Sequence, residues 1–247
     1  MSVCLQLDVG NSSAKWRLVD GAQVLARGRY VPGDENSRNA LFESVSEPRH
    51  IWISSVAAPE AESELARMLR QRWGLDPWFA RTQGSTADLC NSYAEPRRMG
   101  VDRWLAMLGA RRRTGERLCV VDAGSALTID LVDASGQHEG GYIIPGPALM
   151  ERALLLDTDR VRFDEDTGYA LTPGVSTAEA VRHGIALAQA GAVALALEQA
   201  GGDAPELFFC GGGARELMRL LERAVTFAPD LVFERLEVMA AGINPPS

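Results

Sequence analysis

Near the start of the chain, short apolar runs are separated by polar turns. The stretch "VCLQLD" (3–8) reads as a strand whose last residues run buried up to Asp8. A tight turn at Gly10-Asn11-Ser12-Ser13 follows, "AKWRLVD" (14–20) returns as a second strand, and the polar tip Asp20-Gly21 leads into a third. The pattern comes back at mid-chain: "LCVVD" (118–122) leads in, "LTIDLVD" (127–133) returns, and Ala134-Ser135-Gly136 closes the next turn. Asp8 and Gly10 have counterparts in Asp122 and Gly124, and "RLVD" has one in "DLVD". Two unrelated hairpins can share such a pattern. A carboxylate and a glycine at the same place in both copies make a duplicated domain the better reading.

Between and after the copies, strands alternate with helices. "HIWISSVA" (50–57) is β-branched and apolar and suits an inner strand. "APEAESELARMLRQRW" (58–73) is an amphipathic helix with Pro59 and Glu60 near its start, and "DPWFA" (76–80) is a further short strand. "VDRWLAMLGARRR" (101–113) is helical, with a basic last turn that suits the helix dipole. A loop-rich acidic stretch (157–172) precedes a long Ala-rich helix from about Thr177 to Gln199. "ELFFCGGGARELMRLLERA" (206–224) predicts strand, glycine turn and helix, and "LVFERLEVMAAG" (231–242) a strand and a short helix. The alternation implies an α/β fold of two similar domains with a cleft between them.

Composition narrows the class. The chain has 247 residues, enough for two small domains, with 46% hydrophobic and 23% charged residues. A net charge of −8 argues against a nucleic-acid surface, so an anionic ligand must be drawn by local groups. Cys4, Cys90, Cys119 and Cys210 form no CxxC pair, and His50, His138 and His183 are scattered, so no local zinc site assembles. The first residues lack the pattern of a signal peptide, and the most apolar stretch, about Ile185 to Leu197, is too short to span a bilayer and contains Gln189. These features point to a cytoplasmic protein, with neither a membrane nor a nucleic acid among its partners.

Both Asp-x-Gly turns would offer backbone N–H groups to an anion, with a carboxylate at the strand end for a cation or the water around Mg²⁺. Either turn alone is equally well an ordinary hairpin. Lys15, beside the first turn, is the only lysine in the chain. Its compact ammonium differs from the planar guanidinium of every other basic side chain. The loop "CGGGARE" (210–216) opens a helix and is as much a plain strand-to-helix turn as a nucleotide contact. In "NSYAEPRRMGVDRW" (91–104), Asp102 and Arg103 follow Gly100 at a helix start. The carboxylate could take a proton from a hydroxyl and the arginine could grip a carboxylate in a fork, although Asp is also favoured there by the helix dipole.

Taken together, "DVGNSSAK", "GVDR", "DAGSALTID", "GGYIIPG" and "FFCGGGA", in this order and spacing, resemble a type III pantothenate kinase of the acetate and sugar kinase/heat-shock ATPase/actin superfamily. The resemblance covers essentially the whole chain. It implies two duplicated ribonuclease-H-like domains of the actin-like ATPase fold, here 1–116 and 117–247, and ATP-dependent phosphorylation of pantothenate at the first step of coenzyme A synthesis. It further implies that Asp8, Val9, Gly10, Asn11, Ser12, Ser13, Ala14 and Lys15 bind ATP, with Asp8 near Mg²⁺, and that Ser125 also contacts the nucleotide. Tyr93, Gly100, Val101, Asp102, Arg103 and Thr177 would line the pantothenate site, with Asp102 the catalytic base. Asp122 would bind a potassium or ammonium ion, and the protein would work as a homodimer. Ser12 and Ser125 stand where many members have threonine and keep the hydroxyl. Two other readings remain: a phosphoanhydride hydrolase of the same superfamily, which needs no "GVDR", and a nucleotide-binding regulatory protein without turnover.

Overall fold

The computed structural model describes residues 3–158, 160–221 and 223–241. Asp159, Glu222 and Gly242, which fall in stretches read above as a loop and two helices, lie outside them. In chain order the elements are β1 Val3–Val9, β2 Ala14–Asp20, β3 Gln23–Tyr30, α1 Glu35–Ser44, β4 His50–Ser55, α2 Pro59–Trp73 and β5 Trp78–Phe79. They continue with β6 Ser85–Thr86, β7 Leu89–Cys90, α3 Val101–Arg111, β8 Leu118–Ala123, β9 Ala126–Val132, β10 His138–Pro145 and α4 Pro147–Asp157. Last come α5 Thr177–Ala200, β11 Glu206–Cys210, α6 Ala214–Leu220, β12 Thr226–Phe227 and α7 Leu231–Ala241. The described residues divide into two compact units, 3–84, 93–109 and 231–241 in one and those of 85–92 and 110–230 in the other.

Each unit is built on a five-stranded sheet, and the two sheets share one plan. The first has the order β3-β2-β1-β4-β5 and the second β10-β9-β8-β11-β12. In each, the first three strands pair antiparallel and the last two join in parallel. The first turn lies between the pair Val9–Ala14 and the second between Ala123–Leu127, so the second is one residue shorter.

In the first unit, side-chain alternation separates two faces. Leu5, Leu7 and Val9 point with Trp16, Leu18, Ile51 and Ile53 into a core capped by Leu41 of α1 and by Leu65 and Leu69 of α2. Asp34 caps α1, its carboxylate accepting from the backbone N–H groups of Asn36 and Ser37. Helix α2 starts at Pro59 and ends at Gly74, whose left-handed backbone lets its N–H reach the Arg70 carbonyl. The opposite face carries Gln6, Asp8 and Arg17. There the Arg17 Nε donates to Gln6 Oε1 at 2.7 Å, and its guanidinium lies 4.9 Å from the Phe233 ring of α7.

In the second unit the equivalent core contains Cys119, Val121, Leu127, Ile129, Leu131, Leu207 and Phe209, under Val193 of α5 and Leu217 of α6. On the other face, buried Asp130 and His138 meet at 3.1 Å, and the second ring nitrogen of His138 lies 2.8 Å from the Ser92 hydroxyl. That pair satisfies two polar groups that would otherwise be costly to bury.

Two readings need correction. "LVFE" is not a strand: Leu231–Ala241 is one helix, packed on β1 and β4, and the local strand is the two-residue β12 before it. A short apolar run carries no period of its own, and Val232, Leu236 and Met239 are buried at helical spacing. Helix α5 has 24 residues and is long and apolar enough by composition to cross a membrane, which the shorter core stretch suggested it was not. It is a packed helix of the second unit, where Ile185, Ala190 and Val193 are buried and Gln189 Nε2 donates to the Pro145 carbonyl at 2.8 Å. Helices α1 and α4 were not read from the sequence at all.

The cysteines give a direct check on this packing. Cys4, Cys119 and Cys210 are buried and Cys90 is exposed. Burial, with the charge of Asp130 behind it, pushes the Cys119 thiol up to about 12, and burial pushes Cys4 up as well. Since the thiolate is the reactive form, Ellman's reagent should titrate one thiol per native chain and four after unfolding in guanidinium. A second fast thiol in the native protein would contradict the placement of β1, β8 or β11.

Candidate active site

The first candidate constellation follows from strand pairing in the first unit. Asp8 is the penultimate residue of β1, directly opposite Lys15 on β2 and in register with Ser54 on the parallel strand β4. Residues so paired share a face, so Ser54, Asp8 and Lys15 form a row across the sheet beside the turn. Asp8 is half-buried and Lys15 exposed. The turn is closed by the Gly10 N–H donating to the Ser13 carbonyl at 3.0 Å, with Asn11 and Ser12 exposed at its tip and Val9 and Ala14 buried at its base. Ser54 is fully buried, and its hydroxyl finds no hydrogen-bond partner among the described residues. Such an orphan is costly unless water or a ligand satisfies it. Nothing in "HIWISS" marks this serine except its place at the end of an apolar strand.

The second constellation, in the same unit, is the start of α3. The Asp102 Oδ1 accepts from the Arg103 backbone N–H at 2.7 Å and lies over position 100. A Cβ at Gly100 would stand 2.5 Å from that oxygen, so only glycine leaves room for the carboxylate to sit there. The loop before α3 is held by the Thr82 hydroxyl, which donates to the Met99 carbonyl at 2.9 Å. Val101 is buried, and so is Arg103, whose Nη1 donates to the Tyr93 hydroxyl at 3.0 Å while its guanidinium lies 5.8 Å from the Tyr93 ring. A guanidinium fixed in this way is pre-oriented and loses little freedom on gripping an anion.

The third constellation is the second unit's copy of the turn. Asp122 on β8 stands opposite Thr128, and Ser125 lies exposed in the turn, which is closed by Gly124 N–H donating to the Ala126 carbonyl at 3.0 Å. Gly211, with φ of +90°, passes so close to the Asp122 carboxylate and the Ala123 carbonyl that a Cβ there would collide with both. Gly146 likewise approaches the Ser125 and Gly124 carbonyls, at 2.5 and 2.8 Å from where its Cβ would be. The structure thus gives "CGGGA" and "IIPG" definite work in closing oxygen atoms around Asp122 and the turn, which spacing alone left open. Ala123, Gly124, Gly213, Glu216 and Tyr169 also line a recess beside this turn. Burial, with the charge of Glu151, raises the Tyr169 hydroxyl above its ordinary range. Thr177, the first residue of α5, lies apart from that turn. It lines a different, apolar recess with Leu149, Leu154 and Val181.

A family model described as type III pantothenate kinase matches residues 4–199. A type III pantothenate kinase from Hahella chejuensis is 38% identical over 177 residues, covering 72% of this chain and 73% of that protein. Among solved structures, a Baf family protein from Campylobacter jejuni matches with a TM-score of 0.63 at 22% identity over 98% of both chains. MreB 5 of Spiroplasma citri, bound to AMPPNP, matches with a TM-score of 0.50 at 11% identity, over 98% of this chain and 97% of that one. At such identities the two structures speak for the fold, an actin-like ATPase fold of mixed α/β type with two five-stranded sheets. The family is decided by the match over residues 4–199 and by the 38% identity to the Hahella chejuensis enzyme: the chain belongs to the type III pantothenate kinase family.

Proposed function

We propose that this chain transfers the γ-phosphoryl group of ATP to the primary hydroxyl of pantothenate, releasing ADP, as the first step of coenzyme A synthesis in the cytoplasm. The observation that carries this reading is the start of α3, where Gly100 makes room for the Asp102 carboxylate and Tyr93 holds Arg103 in place. In this reading Arg103 grips the substrate carboxylate, and Gly100, Val101 and Tyr93 complete the first unit's part of the pantothenate site. Asp102 takes the hydroxyl proton as the oxygen attacks the γ-phosphorus and the bond to the bridging oxygen of ADP breaks. The transition state is loose and carries its charge on the phosphoryl oxygens, so positioning and neutralisation dominate. The Gly10 to Ser13 turn and Lys15 provide these for the phosphates.

The donor sets fit the ions such a reaction needs. Among the described residues no group of three or more His, Cys, Asp or Glu side chains could hold a metal. A divalent ion near Asp8 would therefore have few protein ligands, with phosphate oxygens and water to complete its shell, as Mg²⁺ commonly does. When bound, Mg²⁺ would supply charge neutralisation on the phosphates. The oxygens of Asp122 and Ala123 crowded against Gly211 are hard donors, suited to potassium or ammonium.

ADP release should therefore require pantothenate, Mg²⁺ and a monovalent cation together. Replacing potassium by tetramethylammonium at fixed ionic strength should cut the rate strongly. Equal rates in both salts would remove the ion from Asp122, and ADP release without pantothenate would favour hydrolysis of ATP over transfer.

Asp102→Asn should keep the fold, because Asn also suits a helix start. Its single-turnover rate at saturating substrates should fall about 10²–10³-fold, the lower half of what general-base removal costs. A rate within about threefold of wild type, against a scale on which tenfold is 1.36 kcal/mol, would exclude Asp102 as the base.

The homodimer is supported by an apolar surface on the second unit. Leu149 and Leu156 of α4 and Leu187 and Leu195 of α5 are exposed, and open space lies beside Gly184 and Gly191. Such a patch marks an interaction face. Light scattering at micromolar concentration should give twice the 26.7 kDa of one chain, and a monomer alone would remove the proposal.

A further inference from the structure

The row that holds Ser54, Asp8 and Lys15 continues by one strand. Arg29 on β3 is directly opposite Lys15, with the pairing regular from Ala14–Tyr30 to Leu18–Ala26. Trp16 and Gly28, the next pair, lie on the core face, close enough that a Cβ at Gly28 would strike the indole. Lys15 and Arg29 therefore stand side by side on the other face, at the end of the hairpin beside the Gly10 to Ser13 turn. Both are exposed, and among the described residues neither side chain makes a hydrogen bond or an ion pair. The neighbouring row also sets two cations opposite each other, Arg17 and Arg27, but there Arg17 is buried between the Gln6 amide and the Phe233 ring.

Like charges directly opposite on paired strands repel and destabilise the pair. An acidic chain with 33 acidic residues has carboxylates to place there, yet the position facing its only lysine is a second cation. The combination suits a ligand carrying several negative charges, which would relieve the repulsion as it binds. Lys15 is one strand from Asp8 and Arg29 two, so the two cations track away from the turn along one line. We infer that Arg29 is a second cationic contact for the phosphate chain of ATP, working beside Lys15. This rests on reading the turn as the ATP site. Strand β3 is also an edge of its sheet, where any charge can serve to discourage edge-to-edge pairing. An edge guard would be served as well by glutamate as by arginine, and a phosphate contact would not.

The test compares Arg29→Lys, Arg29→Gln and Arg29→Glu with wild type. It uses calorimetric binding of AMPPNP with Mg²⁺, steady-state kinetics and the melting temperature without ligand. The expected result is about a tenfold loss of AMPPNP affinity in R29Q, a larger loss in R29E and near-retention in R29K, as for a charge-assisted contact. The KM for ATP should rise in parallel, while the KM for pantothenate stays within about twofold and the ligand-free R29Q melts no lower than wild type. Wild-type affinity in both R29Q and R29E would overturn the inference and leave Arg29 an edge guard. Equal losses for both substrates with a lowered melting temperature would also overturn it, as a folding effect. Wild type that binds AMPPNP without phosphorylating pantothenate would reject the kinase reading, while the binding series still judges Arg29. Wild type that does not bind AMPPNP would reject the ATP reading and Arg29 with it.

Discussion

The register of β1 against its neighbours is the constraint from which the first candidate site follows. Burial of Leu5, Leu7, Trp16 and Ile53 on one face determines which residues of β1, β2 and β4 stand opposite one another. A slip of one residue would carry all of these side chains to the wrong face, so the core enforces the pairing strongly. Once it is enforced, Ser54, Asp8 and Lys15 have no freedom to be anywhere but in one row at the strand ends. Polar groups there are positioned by apolar groups that never touch them.

The second sheet repeats the backbone of the first but not its surroundings. Asp8 faces a lysine, whereas Asp122 faces Thr128 and is approached by the backbone at Gly211. A carboxylate beside an ammonium and a carboxylate beside carbonyl oxygens present different fields to an ion, although both sit one residue from the end of the same kind of strand. Duplication thus supplied two equivalent positions, and the neighbours made them chemically distinct. Glycine matters in both units for its missing Cβ: Gly100 admits the Asp102 carboxylate, and Gly211 admits the strand-to-helix turn against Asp122.

Much of this was legible in the linear pattern. Strand β2 was read with the bounds Ala14–Asp20, helix α2 to within a residue, and the repeat of Asp8-Val9-Gly10 as Asp122-Ala123-Gly124 foretold two sheets of one plan. These are local signals: apolar runs bounded by turn residues, a proline at a helix start, a carboxylate and a glycine at fixed spacing. The type III pantothenate kinase family was likewise visible in short motifs, because a phosphate turn and a helix start are each built from consecutive residues.

What the sequence by itself determined was therefore the set of local elements, the duplication and the residues of each motif. Only the tertiary structure decided that Leu231–Ala241 is a helix against β1 and β4, since an apolar run takes its period from the surface it packs on. It alone decided that Ser54 is buried with no hydrogen-bond partner for its hydroxyl among the described residues, that Tyr93 holds Arg103 and that Arg29 stands beside Lys15. Each of these is a relation between residues distant in the chain. Such relations are set by strand register and by close backbone approach, which sequence spacing along one strand or one helix does not encode.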